Sequence, residues 1–254
     1  MKPGIRTPKE IESMRKGGQI LAETLDFVCS MAKPGVSTFE LDKMAEEFIR
    51  SRKAKPAFKG FHGFPATLCT CVNNVIVHGI PRQNEILKEG DLLKIDCGVI
   101  YDNLYTDSAR AIAIGKISDE KKRLIDTAKL ALKRAISIVK AGTKTSKIGK
   151  IIEDTVEKEG FKIIYDLTGH GVGKTLHEPP VVFNYYNKKE DATLKAGMTI
   201  AIEPIFSVST HKMQTERDKW TITTVDGSDS VQVEHTILVK ENGAEILTPS
   251  KLAD

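Results

Sequence analysis

Apolar residues recur at helical spacing in four stretches of the chain, and short apolar runs of strand character fill the intervals. Ile11, Met14, Leu21, Leu25 and Val28 form the first stripe. Thr7-Pro8-Lys9-Glu10 marks its start, with a capping threonine, a proline in the first turn and a glutamate three after the cap. Ala32-Lys33-Pro34-Gly35 stops it. Ser37 and Glu40 repeat the capping pattern ahead of Leu41, Met44, Ala45 and Phe48. Strand-like segments then run to about residue 115. After them the order restarts, with amphipathic helices predicted over 118–142 and 145–161.

The restart is an internal repeat. "KPGVST" (33–38) precedes "KAGTKT" (140–145) by 107 residues, and "LKEGDLLKIDC" (87–97) precedes "LKAGMTIAIEP" (194–204) by the same 107. Each half reads helix, helix, strands, which predicts an α+β fold with a mainly antiparallel sheet covered by helices. The expected organisation is one catalytic domain over 1–254, with pseudo-symmetric halves of approximately 7–115 and 118–248. The offset lays Asp96 on Glu203, so two related carboxylates would face each other across a pseudo-two-fold axis.

Asp96 belongs to "KIDCGVIYDNLYTDSAR" (94–110), a predicted hairpin with acids on its body, where strands usually avoid them. If Asp102-Asn103 is a two-residue turn, residues whose numbers sum to 205 are paired. Asp96 then faces Ala109, Asp107 faces Gly98, and both acids share one face as diagonal neighbours. Small residues opposite them should leave room. A slip of one residue would put the acids on opposite faces. Two such carboxylates need a proton, a basic side chain or a metal ion between them. The plainer alternative is an edge-exposed Asp96, with Asp107 paired to Arg110.

Other polar residues interrupt apolar runs. Glu203 lies in "AIEPIF" and Glu234 in "SVQVEHTILV", whose alternation sets Gln232, Glu234 and Thr236 opposite Val231, Val233, His235 and Ile237. The glycine-rich "LTGHGVGKTLHEPP" holds His170 and His177, without a phosphate-binding pattern around it. Four carboxylates and a loop histidine would form a mostly oxygen site. Such a site suits Mn²⁺, Fe²⁺ or Co²⁺, in two ions rather than one because carboxylates bridge. His78 ends an apolar strand and reads equally as a hydrogen-bonded turn histidine. His235 reads as a core histidine, His211 as a solvated one, and His62 as a twin of His170 or a plain loop residue.

Composition narrows the class. The 254 residues are 40% hydrophobic and 28% charged, so the chain is globular, and its net charge of +4 includes no basic block that calls for nucleic acid. No apolar run is long enough to span a membrane, and the N-terminus lacks a signal-peptide core. Cys29, Cys69, Cys71 and Cys97 make a poor disulfide framework and fit a reducing cytosol, so a cytoplasmic location is expected.

In combination and order, "VNNVIVHGIP", "KIDCGV", "YTDSAR", "GHGVGKTLHEPP", "AIEPIF" and "VEHT" resemble the type I methionine aminopeptidases in their short form, without an N-terminal extension. The resemblance covers nearly the whole chain. It implies the pita-bread fold and removal of the initiator methionine from nascent polypeptides, by attack of a metal-bridging hydroxide on the first peptide bond. It implies two divalent metal ions, of Mn, Fe, Co or a similar element, on Asp96, Asp107, His170, Glu203 and Glu234, with Asp107 and Glu234 bridging. By the same resemblance Glu203 also moves a proton, His177 steadies the scissile carbonyl, and His78 lies along the peptide backbone. The methionine pocket would comprise Phe58, Phe61, Phe64, Cys69, Leu176 and Trp220. Phe61 and Phe64 stand where many relatives carry tyrosine, and Leu176 where many carry phenylalanine, which leaves fine specificity open. A monomer is expected. The basic stretch 212–219 could meet a ribosome surface or be a solvated loop. Two alternatives remain: an X-Pro dipeptidase or aminopeptidase of the same fold, and a non-catalytic pita-bread scaffold that binds proteins.

Overall fold

The computed structural model describes residues 3–250. Four helices form where the apolar stripes lie: α1 (Pro8–Met31), α2 (Thr38–Ser51), α3 (Asp119–Ser137) and α4 (Thr145–Lys158). Thr7 with Glu10 and Ser37 with Glu40 make complete capping boxes, each hydroxyl and glutamate satisfying the other's backbone N–H. Helix α3 ends earlier than its apolar pattern. Val139 N–H closes a tight turn onto Ile136, and Gly142, at φ 87°, turns the chain away.

Matching backbone contacts accompany the repeat. Gly35 N–H donates to the Leu87 carbonyl and Gly142 N–H to the Leu194 carbonyl, both at 2.9 Å. Thr38 donates to Glu85 at 3.0 Å, and Thr145 donates to Ala192 at 2.9 Å. Every one of these residues has its counterpart 107 positions on. Each half also buries its own apolar cluster under its own helix pair. Leu21, Leu25, Leu41 and Ile95 belong to the first, and Leu124, Ile148, Ile200 and Phe206 to the second.

All strand pairings are antiparallel. The Leu92–Tyr101 strand is flanked by Leu104–Ala113 and Leu68–Val72, with Lys55–Pro56 pairing beside them. A five-stranded sheet runs in the order Gly243–Ile246, His235–Lys240, Thr199–Ile202, Thr168–Gly171, Glu178–Phe183. The two sheets are tied where Thr236 Oγ1 accepts from Asp107 N–H at 2.9 Å and donates to the Asp107 carbonyl at 2.7 Å. Ser108 Oγ also donates to the Glu234 carbonyl at 2.6 Å. Lys94, wholly buried, ties the first sheet to the Ser230–Gln232 strand of another: its Nζ donates to the Asn73 carbonyl at 2.6 Å and to Ser230 Oγ at 3.4 Å. Burial lowers its pKa to about 8.

Candidate metal centre and substrate cavity

The hairpin has the expected register, with Asp96 opposite Ala109 and Gly98 opposite Asp107. Asp102 and Asn103 carry it at φ 52° and 60°, left-handed values that suit a tight two-residue turn. Both acids therefore project from one face, and both are buried. Arg110 lies on the other face and donates instead to Ser108 Oγ and to the Glu234 and Thr248 carbonyls, so the Asp107–Arg110 pairing is not formed. The space at Gly98 has a different use from the one expected. A Cβ there would lie 2.8 Å from both Ala57 Cβ and the Phe58 ring, so glycine admits the pocket wall rather than an ion.

Glu203 and Glu234 also differ from the strand-body positions their sequences suggest. Glu203 follows the Thr199–Ile202 strand and precedes Ile205–Ser207, which belongs to another sheet. Glu234 sits in the same kind of break, between Ser230–Gln232 and His235–Lys240. Pro204, lacking an N–H, suits the first break. Both glutamates are buried, and the two chain crossings bring them to the hairpin acids.

His170 completes the group. Its Nε2 lies 3.5 Å from Glu203 Oε1 and 3.8 Å from Asp107 Oδ2. Its Nδ1 lies 2.9 Å from the Gly171 carbonyl, which selects the tautomer protonated at Nδ1 and leaves Nε2 free to ligate. Burial, and then His177, push its pKa down to about 3, so the ring is neutral.

Asp96 Oδ1, Asp107 Oδ1 and Glu234 Oε1 are buried without hydrogen-bond partners. No lysine or arginine is among the described residues lining the cavity. Four buried carboxylates facing a cavity that no lysine or arginine lines fit divalent metal ions. Donor atoms of Asp96, Asp107 and Glu234 lie within 4.8 Å of one another, as do those of His170, Glu203 and Glu234. A third such set joins Asp107, His170 and His177.

Burial raises all four acids. Asp96 is pushed up to about 7. Asp107, Glu203 and Glu234 lie well above the carboxylate range, with the charges of Asp96, Asp96 and Asp107 respectively as the next cause. The folded metal-free chain thus keeps protons that the unfolded chain releases above about pH 4. Its stability from these groups falls as pH rises toward the folded pKa values. Metal ions displace the retained protons. Calorimetric titration with Mn²⁺ near pH 6.5 is expected to show proton release, and apparent affinity rising with pH. Equal heats in buffers of different ionisation enthalpy would contradict this.

Gln232 was not expected at the centre. Its Nε2 donates to Asp96 Oδ2 at 3.3 Å and Glu203 Oε2 at 3.1 Å, spanning the two acids that the repeat equates. Its position two before Glu234, on the same face, is the signal that could have found it. Arg6 had no such signal. It is buried outside any helix, pairs with Glu178, and donates to Thr199 Oγ1 at 3.0 Å and the Val172 carbonyl at 3.2 Å. Glu178 in turn accepts from Thr175 N–H at 2.9 Å, so this buried pair braces the loop that carries His177.

The acids line a cavity of about 660 Å³. Phe58, Phe61, Phe64, Cys69, Leu176 and Trp220 all line it, as do His78 and His177. Phe64 meets Trp220 edge-on at 5.2 Å, and Phe61 meets His177 at 5.5 Å. Burial, and then His177, lower His78 to about 4; burial, and then His62, lower His177. His78 holds a left-handed φ of 57°, a strain that turns its ring into the cavity where the strand ends. His62 lines the rim from a one-turn 3₁₀ segment and joins none of the three candidate ligand sets. His235 is the expected core histidine, bonded to Thr248 Oγ1 at 3.0 Å. His211 is not simply solvated: its ring stacks on Tyr165 at 5.0 Å, and its Nδ1 lies 2.9 Å from the Ile163 carbonyl.

A carboxylate-rich centre opening on an apolar cleft places the chain among metal-dependent hydrolases. The sequence profile of metallopeptidase family M24 matches residues 12–241. The chain is 41% identical over 244 residues to a methionine aminopeptidase of Clostridium acetobutylicum, covering 96% of this chain and 98% of the relative. It is 40% identical over 248 residues to that of Escherichia coli, covering 97% and 94%. The crystal structure of the Thermotoga maritima methionine aminopeptidase superposes with a TM-score of 0.96 at 39% identity, over 98% of this chain and all (100%) of that one. A Pyrococcus furiosus prolidase superposes at 0.80 with 25% identity, and 66% of its length is covered. The chain belongs to metallopeptidase family M24, in its methionine aminopeptidase branch, and has the pita-bread fold.

Proposed function

We propose that this chain removes N-terminal methionine from polypeptides with two divalent ions held by Asp96, Asp107, His170, Glu203 and Glu234. The single observation that supports this most is the convergence of four buried acids and a neutral histidine at one end of an apolar cavity. Glu234 belongs both to the set with Asp96 and Asp107 and to the set with His170 and Glu203, which favours a shared ligand between two ions. The oxygen-rich donor set suits manganese, iron or cobalt. The halves 7–115 and 118–248 act as one catalytic unit in this reading, each supplying acids.

Bound there, divalent metal supplies Lewis acidity toward the scissile carbonyl and acidifies water. The chain's own residues supply the rest. Phe58, Phe61, Phe64, Cys69, Leu176 and Trp220 receive the first side chain, and their aromatic edges suit a flexible thioether. The carboxylate floor attracts the free α-amine and leaves no passage for residues upstream of it, so one residue is removed. Glu203 accepts the proton of the attacking water and passes it to the departing amine. His177, neutral and at the mouth, donates to the carbonyl oxygen as charge builds there. His78, also neutral, contacts the peptide backbone from beside Trp220, at 6.5 Å between rings.

The expected result is release of methionine from Met-Ala-Ser after chelation and re-addition of Mn²⁺, Co²⁺ or Fe²⁺, with little cleavage of Ala-Pro peptides. The opposite preference would indicate an X-Pro enzyme. Silence with all three metals would indicate a scaffold.

A further inference from the structure

A polypeptide whose first residue fills the cavity must leave through its mouth, and one side of the cavity continues into a partly exposed aromatic row. The Thr168–Gly171 and Glu178–Phe183 strands pair with His170 opposite Val181 and Thr168 opposite Phe183. Paired residues share a face, so Val181 and Phe183 follow one another outward from His170. Val181 and Thr168 line the cavity, yet Val181 is 38% exposed. The neighbours Pro180 and Val182 point the other way and are buried.

Beyond Val181 the rings form a continuous series. Phe183 packs on Tyr185 at 5.2 Å, Tyr185 meets Tyr165 edge-on at 4.9 Å, and Tyr165 stacks on His211 at 5.0 Å. Tyr165 is 38% exposed, and it immediately precedes Asp166, Leu167 and Thr168 of the cavity wall. His211 is fixed by the Ile163 carbonyl, so the outer end of the series is braced rather than loose. Phe183 and Tyr185 are half-buried, so Val181 and Tyr165 are the exposed apolar positions of a row that continues the cavity wall.

With the side chain among Phe58, Phe64 and Trp220 and the amine at the carboxylates, the rest of the chain diverges from the pocket wall, and Leu167, Thr168 and Val181 form another wall of the same cavity. A chain extended along that wall advances about 3.3 Å per residue and carries its later residues past Val181 toward the rings.

We propose that Val181, Phe183, Tyr185 and Tyr165 form an extended substrate surface that binds apolar side chains at the fourth and fifth residues of the polypeptide. The proposal rests on the aminopeptidase reading above and adds a preference that a tripeptide cannot express. The test compares Met-Ala-Ser, Met-Ala-Ser-Gly-Gly-Lys and Met-Ala-Ser-Leu-Phe-Lys on the metal-loaded enzyme. The Leu-Phe hexapeptide is expected to exceed the Gly-Gly one at least about fivefold in kcat/KM, with the gain in KM. Tyr165→Ser should reduce that ratio below about twofold while Met-Ala-Ser rates stay within about twofold, and Tyr165→Phe should retain it. A ratio near one in the wild type, or an unchanged ratio in Tyr165→Ser, would overturn the proposal. No hydrolysis of Met-Ala-Ser by the wild type would overturn the aminopeptidase reading itself, and this surface with it.

Discussion

Asp107→Asn is expected to lower kcat/KM on Met-Ala-Ser by about a hundredfold or more while leaving the metal-free protein as stable as before. Burial raises the pKa of Asp107 in the metal-free chain and so favours its neutral form, and an asparagine is neutral with the same shape. The backbone contacts that fix this position, from Asp107 N–H and carbonyl to Thr236 Oγ1, do not involve the substituted atoms. Folding therefore has little reason to change. Metal binding does, because the amide supplies no charge where the Asp96 and Glu234 set and the His170 set meet. Thermal melts with and without Mn²⁺ separate the two effects: the unliganded midpoint should hold and the Mn²⁺-induced rise should shrink. His170→Ala should behave in the same way. Near-normal turnover in either variant would defeat the ligand assignment.

His177→Ala should cost on the order of a hundredfold in kcat with KM little altered, because an interaction that strengthens only in the transition state has been removed. The ring stands at the mouth, 4.5 Å from His170 and 5.5 Å from Phe61 between centroids. Its lowered pKa leaves it a neutral donor. The competing assignment is a ligand role, since His177 also falls into a set with Asp107 and His170. Mn²⁺ affinity decides between them. It should be unchanged in His177→Ala and reduced at least about tenfold if the ring were a ligand.

The elements most legible in the sequence are those set by short-range rules. Thr7 with Glu10 and Ser37 with Glu40 start their helices as written, because a capping box closes within four residues. The α3 boundary was less legible. Its apolar spacing continues past Ser137, but the turn that breaks it depends on Gly142 reaching Leu194 in a distant connecting segment. His211 shows the same limit, since its stacking partner Tyr165 is 46 residues away, a proximity that local polarity does not reveal.

The sequence by itself determined the hairpin register and the offset that lays Asp96 on Glu203. A two-residue turn and a period of two act over a dozen residues, and the 107-residue offset is written in the chain. Only the tertiary structure decided where those acids meet and what surrounds them. Glu203 and Glu234 reach the centre from breaks between sheets, Gln232 spans Asp96 and Glu203, and Phe58 takes the space at Gly98. Arg6 and Glu178 lie 172 residues apart and meet beneath the His177 loop. Such convergence follows from packing two halves together, and no local spacing rule encodes which side chains will then be neighbours.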